Sequence, residues 1–140
     1  MRSFCEERPE SSDLLEEKMT KQETVRAYFE AWLQKDIQTV MHTFSEDAIY
    51  TECYGPQYHG LPQILKWFAD WNRKGTVLQW DIHRMVEQGQ TVVAQWFFRC
   101  DYDGTVSGFD GVSVIDFGED GRICRLEEYQ SEPKHVFPYD

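Results

Sequence analysis

Positive charge is scarce in this chain: 14 Lys and Arg stand against 25 Asp and Glu, a formal net charge of −11. Such a chain repels a phosphate backbone, so no nucleic-acid partner is expected. Long apolar runs are missing too. No stretch reaches the roughly 18 residues that crossing a bilayer needs, so no membrane partner is expected. The opening residues, MRSFCEERPESSDLLEEK, contain no apolar signal segment, which leads us to expect a cytoplasmic protein. Its cysteines, Cys5, Cys53, Cys100 and Cys124, make no C-x-x-C pair. They are expected as reduced thiols, with no bound metal. Neither phosphate-binding glycine loop, G-x-x-x-x-G-K-[ST] or G-x-G-x-x-G, occurs, and H-E-x-x-H and G-x-S-x-G are also absent. No cofactor is therefore expected. The chain has no internal repeat and no low-complexity segment.

What remains is an aromatic-rich globular chain of 140 residues, 41% apolar and 15% aromatic, enough for one domain with a real core. Residues 1–19 are charged and read as a mobile arm. The domain spans residues 20–132. Residues 133–140 form an aromatic tail that either folds over an opening or meets a neighbouring subunit.

Thr20-Lys21-Gln22-Glu23 has the form of a capping box, and Val25, Tyr28, Phe29 and Trp32 follow at helical spacing as far as Lys35. Asp36-Ile37 opens a short helix containing Val40, Met41 and Phe44. Ser45-Glu46-Asp47 reads as polar punctuation, and Ala48–Tyr54 as a strand that places Tyr50, Glu52 and Tyr54 on one face. Gly55-Pro56 ends it. A loop with His59 then leads through Gly60-Leu61-Pro62 into a helix over Leu61–Arg73. Strands follow at Val77–Glu87, Thr91–Tyr102, Val106–Phe117 and Arg122–Gln130, with Asp103-Gly104 as a strong hairpin signal. Helices followed by a meander predict an α+β domain with a curved antiparallel sheet wrapped around the N-terminal helices.

Alternation along the strands nominates interior residues. Trp96 and Phe98 share a face, and so do Leu126, Glu128 and Gln130. A one-residue slip would send Glu127 and Tyr129 inward instead. Tyr28 and Trp32 share a helix face. The five tryptophans, among them Trp32, Trp67 and Trp96, either fill the core or wall a pocket for a flat apolar ligand.

The run F-x-x-D-A-x-x-x-E at Phe44–Glu52, followed by Gly55-Pro56, His59-Gly60 and an amphipathic helix, resembles the SnoaL-like group of the nuclear transport factor 2-like superfamily. Ketosteroid isomerases and polyketide cyclases share that fold. The resemblance covers about residues 20–132 and implies a cone-shaped domain, a homodimer formed through the outer sheet face, and a pocket for a small hydrophobic or aromatic ligand. Set beside ketosteroid isomerase, Glu52 stands at the general base, one methylene longer. Tyr28 stands at the oxyanion-donating tyrosine, and Ser113 at a protonated aspartate.

The function implied is proton transfer by a cofactor-independent isomerase, cyclase or lyase on a small hydrophobic carbonyl compound. Glu52 is the expected base and Tyr28 the oxyanion donor. Trp32, Tyr54, His59, Trp67, Trp96, Phe98, Ser113, Glu128 and Gln130 are expected to contact the ligand. The alternative is a non-catalytic ligand-binding or protein-interaction module, with Tyr28 a core aromatic, His59 a helix cap and Glu52 a solvated strand residue.

Overall fold

The computed structural model describes residues 18–139, so most of the expected N-terminal arm lies outside the described residues. Thr20 caps α1, Lys21–Gln34. Its hydroxyl accepts the Glu23 N–H at 3.1 Å, while the Glu23 carboxylate accepts the Thr20 N–H at 2.8 Å. This reciprocal pair satisfies two of the donors that every helix start leaves unpaired. Lys35 closes the helix in a left-handed conformation, and Asp36 caps α2, Ile37–Thr43.

Phe44, expected at the end of that helix, instead begins β1, Phe44–Thr51. Ser45 is wholly buried and only Glu46 and Asp47 point outward, so the polar triplet belongs to the strand and does not punctuate it. After the Gly55-Pro56 turn the chain folds back as β2, Gln57–His59, in a segment expected to be loop. Then come α3, Leu61–Lys74, and the strands β3, Gly75–Gln88, β4, Thr91–Tyr102, β5, Thr105–Phe117, and β6, Ile123–Ser131. The β4–β5 hairpin turns at Asp103-Gly104, both with positive φ.

The six strands form one sheet in the order β2-β1-β6-β5-β4-β3. All neighbours are antiparallel except β1 and β6, which run parallel, so the sheet is mixed and not antiparallel throughout. Everything between those two strands forms a long crossover, which a parallel pair requires. Register shifts in β3, at Val77/Gln79 and Ile82/Arg84, and in β1 bend the sheet around α1 and α3. The core lies in that concavity, where Tyr28, Phe44, Tyr50, Ile64, Trp96, Ile115 and Leu126 are fully or almost fully buried. Each such side chain contributes roughly 1.5–3 kcal/mol through burial.

Leu126 is 0% exposed and Tyr129 57%, which decides the register of β6: Leu126 and Glu128 face inward. The tail residues Val136, Phe137 and Tyr139 are exposed and do not close over the molecule. No helix among the described residues is long and apolar enough to cross a membrane. Cys53 and Cys100 are free thiols. Cys124 is held in a disulfide, which departs from the expectation of four reduced cysteines.

Candidate functional site

The parallel pairing of β1 with β6 sets Tyr50 beside Leu126. Two residues further along each chain come Glu52 and Glu128. β1 has ended at Thr51 by then, so Glu52 sits in a turn just past the strand. There its N–H donates to the Pro56 carbonyl at 2.9 Å, and its own carbonyl accepts from Gly55 at 3.0 Å. The expected strand runs three residues too far because Gly55 and Pro56 reverse the chain earlier than their position alone suggests.

Each carboxyl is held by a tyrosine. Tyr58 of β2 donates its hydroxyl hydrogen to Glu52 at 2.7 Å. Tyr50 donates in a short hydrogen bond to Glu128, and Tyr28 in turn donates to the Tyr50 oxygen at 2.9 Å. The Cys53 N–H also bonds Glu128, so the turn carrying one carboxyl supports the other.

Both carboxyls line one cavity of about 320 Å³. Its helical wall is Trp32 of α1 with Trp67 and Trp71 of α3. Opposite stand Trp80 of β3, Trp96, Phe98, Cys100 and Tyr102 of β4, and Ser107 and Phe109 of β5, while Tyr50 and Tyr54 complete the end that holds the acids. The volume lies in the range of small-molecule pockets, and the lining is mostly apolar with a few convergent polar groups.

That setting changes the acids. Burial pushes the Glu128 carboxyl up to about 8; the nearby Glu52 charge adds to the rise, and the bonds from Tyr50 and Cys53 oppose it. Burial also raises Glu52, against the Tyr58 bond that favours its ionised form. The hydroxyls of Tyr28 and Tyr50, buried in the same way, are held well above their ordinary value. At neutral pH Glu128 is therefore mostly a neutral acid. Tyr50 bonds one of its oxygens, which leaves its own O–H as a donor.

The profile of the SnoaL-like domain matches residues 25–126, most of the chain. This chain belongs to the SnoaL-like domain family. Solved structures agree at the level of the fold. A hypothetical protein with a ketosteroid isomerase-like fold from Catenulispora acidiphila, solved with trimethylamine, is 21% identical at a TM-score of 0.71, covering 80% of this chain and 88% of its own. A candidate SnoaL-like polyketide cyclase from Shewanella denitrificans is 19% identical at 0.65, over 79% and 90%. An LEH-like epoxide hydrolase from M. tuberculosis is 19% identical at 0.70, over 77% and 80%. A comparison with curated protein sequences finds no match.

Within this SnoaL-like domain, Glu52, Trp32, Tyr54, Trp67, Trp96, Phe98 and Glu128 all line the cavity. Four other residues singled out in the sequence stand elsewhere. Tyr28 is fully buried behind Tyr50, so its hydroxyl reaches Tyr50 and not a ligand. Ser113 is also fully buried; it accepts the Trp96 indole N–H at 2.9 Å and fixes that ring. His59 is exposed on β2, its ring bonded to Gln57 at 2.6 Å. Gln130 has passed the end of the cavity and is exposed. Tyr50, Trp71 and Trp80 were missed as site residues. Alternation about Glu52 was the available signal for Tyr50. None existed for Trp80, whose facing depends on the β3 register shifts.

Proposed function

We propose that this SnoaL-like domain performs cofactor-independent proton transfer, of isomerase, cyclase or lyase type, on a small hydrophobic carbonyl compound. The observation that carries this reading is the pair of tyrosine-held carboxyls facing one aromatic cavity. Glu52, the less shifted acid, supplies the carboxylate base; Glu128, the more shifted, supplies the O–H. Glu52 takes a proton from the carbon next to the carbonyl. The C–H electron pair moves into the new C=C bond, and the carbonyl π pair moves onto oxygen. Glu128 donates a hydrogen bond to that developing oxyanion, a contact typically worth about 3–4 kcal/mol. Glu52 then returns its proton at another carbon, or a leaving group departs. Tyr28, expected as the donor itself, positions Tyr50 and through it Glu128.

A homodimer through the outer sheet face belongs to the same proposal. It is supported by the apolar side chains of that face, argued below. A non-catalytic binding module is the rival reading, and one probe separates the two. 5-Nitrobenzisoxazole loses a carbon-bound proton to any well-placed carboxylate and releases a coloured phenolate. Wild-type protein should accelerate this above free carboxylate, with Glu52→Gln slower by about 100-fold or more. Equal rates for the two proteins would leave only the binding module.

A further inference from the structure

We propose that the ligand of this cavity carries an alkylated ammonium group, tertiary or quaternary, seated against the tryptophans that line it with Glu52 as its counter-ion. This rests on the reading of the cavity as the functional site and names its substrate class.

The charge of the lining is one-sided. Its acids are the two carboxyls Glu52 and Glu128, and among the described residues no Lys, Arg or His lines the cavity. Groups facing Glu52 come from four elements: Tyr58 of β2, Cys53 and Tyr54 of its own turn, Glu128 of β6, and Tyr28 of α1 behind. None is cationic. An anionic ligand is therefore repelled, and a neutral one leaves the Glu52 carboxylate without a counter-charge. The net charge of −11 adds attraction for a cation at longer range.

Aromatic geometry selects the kind of cation. Trp32 meets Trp67 at 58° and Trp71 at 85°, and Trp80 meets Trp96 at 88°. These rings pack edge to face and not as one stack; Phe29 covers one face of Trp80 and Tyr58 one face of Trp67, and all five tryptophans line the cavity. Quaternary ammonium groups are recognised by aromatic cages. A hard metal ion needs a shell of oxygen ligands. Among the described residues, no group of three or more His, Cys, Asp or Glu is placed to hold one. At about 320 Å³ the cavity is roughly twice the size of one that holds benzene, leaving space for a flat body beside the ammonium head.

The ligand's charge also completes the acid–base pair. One positive charge facing two acids draws a proton from the more acidic of them. Glu52 is then ionised as base, and Glu128 keeps its proton as donor.

Tryptophan fluorescence of the full chain can be titrated with phenyltrimethylammonium and with tert-butylbenzene, which has the same shape and no charge. The cation should bind about tenfold tighter or more at neutral pH. Its affinity should fall as pH drops through the Glu52 transition, and Glu52→Gln should bring the two ligands close together. Equal or tighter binding of tert-butylbenzene, or a charge preference untouched by Glu52→Gln and by pH, overturns the proposal. The nitrobenzisoxazole assay reads proton transfer alone. Cation binding without turnover would thus remove the enzymatic reading and keep this one, and turnover with tighter binding of the neutral ligand would do the reverse.

Discussion

Tyr50 both accepts from Tyr28 and donates to Glu128, so a single hydroxyl satisfies two neighbours in the interior. Tyr50→Phe strands the Tyr28 donor and takes a donor away from Glu128. Tyr28→Phe leaves the Tyr50–Glu128 bond in place and loses one net hydrogen bond. An unmet buried polar group costs about 1–3 kcal/mol, so Tyr50→Phe should be the more destabilising of the two by about that amount in denaturant unfolding. Equal losses would mean that the two hydroxyls do not act as a chain. Glu128 supplies a second test, with a definite sign. The folded protein keeps this proton up to about pH 8, whereas an ordinary Glu releases it near 4.5. Between those values the unfolded chain binds fewer protons, so stability falls as pH rises, by up to about 1.4 kcal/mol per unit, and levels off above. Glu128→Gln cannot ionise in either state. It should gain on wild type from about pH 5 to 8 and then run parallel to it. A constant difference across that range would mean that Glu128 titrates normally.

At the scale of elements, legibility followed local chemistry. The α1 capping box and the Asp103-Gly104 hairpin were readable because a few adjacent residues determine them. β2 was not, since three residues of mixed polarity form a strand only because the end of β1 offers them a partner. The parallel β1–β6 pairing was equally hidden, because no local signal reports which strand a distant one will meet. This explains the uneven reading of the site. The resemblance over Phe44–Glu52 pointed to Glu52 and alternation to Glu128, but neither told that a parallel register brings them together. A further contact invisible in the sequence is Gly111 of β5. A Cβ built there would overlap the Trp96 ring, which the Ser113 bond holds in place. Gly111→Ala should therefore cost about 1–3 kcal/mol by overpacking. It should also change the fluorescence of Trp96 at the cavity wall, whereas Gly89→Ala, at a site with nothing within 4 Å, should leave that signal alone. An unchanged spectrum in Gly111→Ala would mean that the ring is free to move.

The whole molecule places its two sheet faces in different surroundings. The concave face is covered by helices; among the described residues the convex face has none. Alternation from inward Ala94, Trp96 and Ser113 puts Val93, Phe97, Val112 and Val114 outward, all half-buried, with Val106 and Tyr129 outward and exposed. Such an apolar band is where a second copy can bury surface, although Glu127 beside Val114 and Asp110 beside Phe97 share that face. The proposed dimer should then sediment at twice the 16.6 kDa of one chain. Each copy carries the same excess of negative charge, so association should strengthen as salt rises from low ionic strength and screens their repulsion. Val114→Glu puts a further carboxylate into the apolar band that the dimer would bury and should give a monomer. Because residue 114 points away from the cavity, that monomer should keep its affinity for phenyltrimethylammonium. A wild-type chain that sediments as a monomer at every salt and protein concentration would remove the dimer from the proposal and leave the cavity chemistry where it stands.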